Sequence, residues 1–208
     1  MATVDLSMPV TSEILLYPGQ LRPTLKFESR MENGEPYTVS RIEMGSHTGT
    51  HVDAPIHFLP GTQGIDEMPV DRLCGPCDVL DLTGLPTENI GREHLVRQRI
   101  SADIVLFKTR NSQFLEDGTF RVEACSLALD GAEYLVEQGV KAVGIDYLSI
   151  ESADTQDFPV HKRLLSVPVY VIEGLALARA PVGRHELICL PIRVVGADAA
   201  PARAFLRV

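Results

Sequence analysis

The segment His47-Thr-Gly-Thr-His51-Val-Asp53-Ala-Pro-Ile-His57 sets three imidazoles and a carboxylate within eleven residues and interrupts them with Gly49 and Pro55. Glycine loses more backbone entropy in a helix than other residues do, and proline lacks an amide donor and drives its predecessor to extended geometry. The segment is therefore poor helix material. The two histidines are also not the paired ligands of a helical H-E-x-x-H site, since Thr48 and not Glu follows His47. A turn at Gly49 would instead fold His47 back beside His51. His51 and Asp53, two residues apart, would then share one side of an extended segment.

Two neutral imidazoles and one carboxylate suit zinc, manganese or iron, and three protein ligands leave coordination positions open for water and substrate. His57, just past Pro55, would lie near such an ion without necessarily binding it. An unliganded imidazole there is suited to general acid or base work, because its pKa lies near neutrality. A lone histidine is usually satisfied by backbone groups. Ligating and titratable groups crowded this closely mark metal or catalytic sites instead.

The 208 residues, 45% of them hydrophobic, suffice for one domain spanning 1–208, and no linker, internal repeat or low-complexity segment interrupts them. The formal net charge of −9, without clustered Lys or Arg, argues against a nucleic-acid partner and for a small-molecule substrate. No apolar run approaches the roughly 20 residues of a membrane span. The start Met-Ala-Thr-Val-Asp has no signal-peptide character, so a cytoplasmic location and no membrane partner are the expectation. The four cysteines are then expected as reduced thiols.

Cys74-Gly-Pro-Cys77 spells the redox motif of thioredoxin-like proteins. In that fold the first cysteine opens a helix, whose dipole lowers its pKa. Here Cys77 leads into Asp-Val-Leu-Asp-Leu-Thr-Gly, which alternates like a strand, and the chain has no Trp to precede the motif. A thiol redox protein is thus a remote alternative. A structural zinc on this pair lacks a second cysteine pair at usable spacing.

The β-rich alternation of Tyr37 to Met44 leads into the histidine cluster, so the cluster is expected at a strand end, where scaffolds present ligands. Asp78–Leu82, Asp103–Thr109 and Lys141–Ile145 read as buried strands. Between the last two, a helix capped by Ser126 and closed by Gly139 is predicted, with another over Arg92–Gln98. Pro159–Leu165 reads as a short helix bearing His161, and Val167–Gly174 as a strand ending at Glu173. Late strands are predicted at Leu187–Val195 and Ala204–Val208. The fold class is α/β or α+β with a mostly buried mixed sheet. Spacing alone leaves Glu173 open between a surface carboxylate and a desolvated one that needs a cation. His94 and His185 read as ordinary surface residues.

The chain resembles the cyclase-like metal-dependent hydrolases, the family of bacterial kynurenine formamidases and isatin hydrolases. The resemblance rests on His47-Thr-Gly-Thr-His51-Val-Asp53-Ala-Pro-Ile-His57-Phe, Gly75-Pro, Gly144-Ile-Asp146-x-x-Ser149, Phe158-Pro-Val-His161, Ile172-Glu173-Gly174-Leu and Leu190-Pro-Ile-x-Val-x-Gly196-Ala-Asp-Ala-Ala-Pro201-Ala-Arg, from about Tyr17 to the C-terminus. It implies a swivelling β/β/α fold, a homodimer or higher homo-oligomer, and parts of the active site near the subunit interface.

By resemblance His47, His51 and Asp53 would hold a first metal, with His161 and Glu173 completing a second position that Asp53 would bridge. The ions would be one or two Zn2+, or a single Mn2+ as in the isatin hydrolase branch. The activity implied is hydrolysis of a small amide, foremost that of N-formylkynurenine to kynurenine and formate, with His57 passing a proton to the leaving amine. An isatin-type lactam or another cyclic amide is the alternative. The chain departs from the formamidase pattern at Tyr17-Pro-Gly-Gln20, where Trp-Pro-Gly-Asp is often found. Tyr17 would still stack on a substrate ring.

Overall fold

The computed structural model describes residues 2–85 and 87–208. In chain order its strands and helices are β1 (Thr3–Asp5), β2 (Thr24–Ser29), β3 (Val39–Glu43), β4 (His51–Asp53), β5 (Cys74–Asp81), β6 (Asn89–Ile90), α1 (Arg92–Leu95), β7 (Ile104–Lys108), α2 (Asn111–Asp117), β8 (Ser126–Leu127), α3 (Leu129–Glu137), β9 (Ala142–Ile145), α4 (Pro159–Leu165), β10 (Tyr170–Glu173), β11 (Gly183–Pro191) and β12 (Ala199–Arg207).

A mixed sheet runs in the order β1-β12-β11-β5-β7-β9-β10-β4, and a further pairing of β4 with β12 closes it on itself. The strands β5, β7, β9 and β10 are mutually parallel, so each link between them crosses over through a helix. Antiparallel pairs complete the ring: β10 with β4, β4 with β12, β12 with β11, and β11 with β5. All the strands of the ring contribute to one interior cluster, among them Val52, Val79, Leu106, Ile172, Leu187 and Leu206. The alternate residues Val105, Phe107, Val143, Ile145 and Val171 pack outward against Leu135 of α3 and Leu164 of α4. Burial on both faces explains why these strands read as continuous apolar runs.

The same alternation positions the candidate site. Val52 points into the interior cluster, so its neighbours His51 and Asp53 point to the other side of β4. On β10, Tyr170 and Ile172 point inward, which leaves Glu173 on the face that carries His51 and Asp53. Register finishes the placement, pairing Glu173 with His51 and Val171 with Asp53.

The predicted helix at Pro159–Leu165 forms over that span, and the three predicted central strands appear as β5, β7 and β9. The helix expected to begin at Ser126 starts later, at Leu129, with Ala128 as its uncapped N-terminal neighbour. Ser126 instead joins β8, because its amide donates to Glu88 and that of Leu127 to Ile150. The Arg92–Gln98 helix shortens to α1. The late strands begin earlier than expected, at Gly183 and Ala199, and β11 stops at Pro191. The Tyr37–Met44 strand is β3, which pairs with β2 alone as a solvent-exposed hairpin outside the main sheet. Among the described residues no helix is long and apolar enough to cross a membrane.

Candidate metal centre and active site

His47 lies in the turn before β4, where Gly49 adopts φ +66° and brings the His47 and His51 rings to 4.9 Å between centroids. Gly174, at φ +66° directly after Glu173, packs against this turn so closely that a Cβ on it would meet the Gly49 carbonyl oxygen at 2.4 Å. The two glycines let the end of β10 and the turn before β4 approach as no larger residues could. His161 comes from the first turn of α4, held there by Glu151, whose carboxylate accepts the Val160 and His161 amides at 3.0 and 3.2 Å.

The polar atoms of these side chains converge around Asp53. His47 Nδ1 lies 3.1 Å and His51 Nε2 3.5 Å from Asp53 Oδ1, and His161 Nε2 lies 3.7 Å from Oδ2. Glu173 closes the group, with Oε2 3.3 Å from His51 Nε2 and Oε1 3.1 Å from His161 Nε2. The second nitrogen of each ring meets an outer acceptor. His47 Nε2 is bound to Asp198 Oδ2 at 2.9 Å, His51 Nδ1 to the Gly49 carbonyl at 2.9 Å, and His161 Nδ1 to Glu151 Oε2 at 2.7 Å. Acceptors of this kind orient metal-ligating imidazoles and raise their basicity.

Both carboxylate oxygens of Asp53, and Nε2 of His51, are buried without a hydrogen-bond partner. An ionised group removed from water costs several kcal/mol unless paired. A divalent cation would satisfy all three atoms together, and the donor set of imidazole nitrogens and carboxylate oxygens suits one. Among the described residues, ligand atoms lie within 4.8 Å of one another in two overlapping sets, His51 with Asp53 and Glu173, and His47 with Asp53 and His57. Asp53 is common to both. Sequence spacing left open whether His57 binds the ion, and the fold brings it within ligand range of His47 and Asp53.

The electrostatics match an anionic centre held together by protons. Burial pulls His47 down, but Asp53 and Asp198 outweigh it and lift the imidazole to about 9. Burial likewise opposes charge on His161, and Glu151 and Glu173 override it to reach about 10. For Glu173, burial pushes the carboxyl up, yet His161 and His51 hold it well below the usual carboxylate range. His57 moves the other way, lowered chiefly by burial and partly by His47, against the pull of Asp53.

Beside this centre opens a cavity of about 340 Å3 lined by Tyr17, Gln20, His57, Phe58 and Phe158, among others. Its volume falls in the range of small-ligand sites. One wall is aromatic, with Phe58 4.5 Å from the His161 ring and 5.0 Å from that of Phe158. Tyr17 forms another part of the lining and meets Phe120 edge-on at 5.4 Å. Phe158, at φ 49°, has a left-handed backbone, which among the described residues no other non-glycine shares. Such strain concentrates at functional sites.

All six proposed ligand and proton-transfer residues are thus brought together, and Tyr17 lines the adjoining cavity. Glu173 is resolved as a buried group. Asp198, Glu151, Phe58 and Phe158 were not singled out for roles from sequence, although Phe58, Asp198 and Phe158 lie within the motifs quoted for the resemblance. His185 is not an ordinary surface residue, since its Nε2 is buried without a partner, and His94 accepts the Gly91 amide at 3.1 Å. The cysteines are free, and Cys74 and Cys77 both lie within β5 with no helix N-terminus to lower the first thiol, which removes the basis of the dithiol redox reading.

Residues 4–152 match the family model described as putative cyclase. The chain is 35% identical to a kynurenine formamidase of Salinibacter ruber, covering 100% of this chain and 98% of that protein. It is 34% identical to a kynurenine formamidase of Erythrobacter litoralis, over 98% and 92% of the two. Among solved structures, one described as a predicted metal-dependent hydrolase from Bacillus stearothermophilus superposes with a TM-score of 0.85 at 36% identity, covering 99% of this chain and 97% of that one. An isatin hydrolase bound to the product analogue thioisatinate shares the fold, with a TM-score of 0.88 at 19% identity over 99% and 92% of the chains.

Proposed function

Because the chain belongs to the cyclase family, we propose that it is a metal-dependent amide hydrolase, specifically an arylformamidase that converts N-formylkynurenine to kynurenine and formate. The observation that carries this reading is Asp53, a buried carboxylate with neither oxygen hydrogen-bonded amid His47, His51, His161 and Glu173, at the edge of an aromatic-lined cavity. The kynurenine formamidases to which the chain is similar over its full length support the substrate.

In this reading His47, His51, Asp53, His161 and Glu173 hold one or two zinc ions, or manganese. The bound metal supplies a Lewis acid that makes water a stronger acid and polarises a carbonyl. The protein does the rest. Tyr17, Phe58 and Phe158 flank the flat ring of the substrate and direct its formyl group toward Asp53. His57, at the cavity wall and lowered by burial, is free to take a proton and to deliver it to the departing aryl nitrogen.

A cytoplasmic homodimer completes the proposal. The β2–β3 hairpin supports association, since it exposes Leu25, Phe27 and Ile42 and, among the described residues, hydrogen-bonds to no other strand. An isolated hairpin is only marginally stable in water.

The test is release of kynurenine from N-formylkynurenine by protein loaded with zinc or with manganese, with and without chelator. Chelator-sensitive release supports the arylformamidase. No release from metal-replete protein, with turnover of isatin or another cyclic amide, moves the substrate to the lactam class. No turnover of any amide overturns the hydrolase reading.

A further inference from the structure

Asp198 lies just before β12 and serves two histidines of the site at once. Its backbone carbonyl accepts the Ala54 amide at 2.9 Å, and the next residue, Ala199, pairs with Asp53 across β12 and β4. The side chain is therefore anchored to the strand end that carries the candidate ligands. Ser46 Oγ donates to Asp198 Oδ1 at 3.0 Å, which leaves Oδ2 for the imidazoles. His47 Nε2 lies 2.9 Å from Oδ2, and His57 Nδ1 lies 3.4 Å from the same atom. The two rings stand 4.2 Å apart between centroids, tilted by 39°.

We propose that Asp198 is a positioning residue that couples the metal ligand His47 to the proton carrier His57 through a single carboxylate oxygen. The inference rests on the hydrolase reading above and deepens it. Toward His47, Oδ2 accepts the Nε2 proton and so presents Nδ1, the nitrogen beside Asp53, as the ligand atom. Toward His57, the same oxygen lies 3.4 Å from Nδ1, within ion-pair range though not hydrogen-bonded, and so holds that ring beside His47. Ordinary polar anchoring of a loop would need neither ring. The amide of Ala54 and the hydroxyl of Ser46 already hold Asp198 in place.

The experiment compares wild type, D198A, D198N, H57A and the D198A/H57A double variant by two readouts. The first is zinc affinity, measured by competition with a chromophoric chelator in the absence of substrate. The second is kcat and KM on N-formylkynurenine. D198A should weaken zinc by roughly tenfold to a hundredfold, equally with and without His57, as loss of an outer carboxylate partner does. D198N keeps a carbonyl acceptor for His47 and should recover most of that affinity. D198A should lower kcat at saturating zinc by about tenfold or more with little change in KM, and should lower it no further in the H57A background.

Unchanged zinc affinity in D198A would overturn the link to His47. Equal fractional losses of kcat with and without His57 would overturn the link to His57. The zinc arm needs no substrate, so a wild type that binds zinc but turns over no amide sinks the hydrolase reading while the Asp198–His47 link is still decided by affinity.

Discussion

Glu173 and His51 stand directly opposite each other on antiparallel strands, and their facing atoms, Oε2 and Nε2, lie 3.3 Å apart. Asp53 sits two residues along the same strand face, with neither oxygen hydrogen-bonded. The pairing of β4 with β10 thus assembles donors from two segments more than a hundred residues apart around one buried point.

Asp53→Ala should abolish metal binding. Wild type with metal at about a hundred times its dissociation constant gains about 2.7 kcal/mol, or roughly 5–10 °C in melting temperature for a chain of this size. The variant should show no such gain. Metal content and thermal melts with and without zinc check this, and a metal-dependent shift retained in the variant would remove Asp53 from the site.

His57→Ala should retain metal, because the other proposed ligands remain, while turnover falls by roughly 10²–10⁴-fold, the usual contribution of a positioned acid or base. Metal analysis beside steady-state kinetics separates the two effects. Loss of metal in His57→Ala would make His57 a ligand, as its distance range to His47 and Asp53 permits.

Stability of the metal-free protein should fall as pH rises from about 6.5 to about 9 to 10. His47 and His161 have folded pKa values of about 9 and about 10, both raised above 6.5. A raised pKa stabilises the fold fully below the unfolded value and loses that contribution as pH climbs through the folded one, on the order of 3 kcal/mol for His47. Metal affinity should run the opposite way and strengthen with pH over the same window, since both rings must shed a proton to bind. Thermal melts of chelator-treated protein and zinc titrations from pH 6 to 10 measure both slopes.

Gly174→Ala should destabilise the fold by at least about 2 kcal/mol and weaken metal binding. The residue has φ +66°, and the added Cβ would fall 2.4 Å from the Gly49 carbonyl oxygen, between the turn that presents His51 and the strand end that presents Glu173. Urea unfolding and zinc titration test it. A variant with wild-type values for both would mean that the two segments need not approach so closely.

The histidine segment was legible because its logic is local. Gly49 and Pro55 rule out a helix within eleven residues, and the period of a strand puts His51 and Asp53 on one side whatever the rest of the chain does. The helix at Pro159–Leu165 was legible for the same reason, with Pro159 at its first turn. Ser126 was misread because an N-cap and a strand bridge use the same small polar residue, and the choice was made by the distant carbonyls of Glu88 and Ile150.

What the sequence by itself determined is therefore the set of chemical groups and the two-sided burial of the central strands, since both follow from residue type and short-range period. Only the tertiary structure decided that Glu173 is buried rather than exposed, because that depends on the β4–β10 register. It also decided that Asp198 and Glu151 hold the outer nitrogens of His47 and His161. Asp198 reaches His47 across 151 positions of chain, a contact created by closure of the sheet through β12 and β4. The physical reason is the same in each case. A side chain's period along its own strand or helix is set by its neighbours in sequence, but the partner it meets is set by which strands pair and in what register.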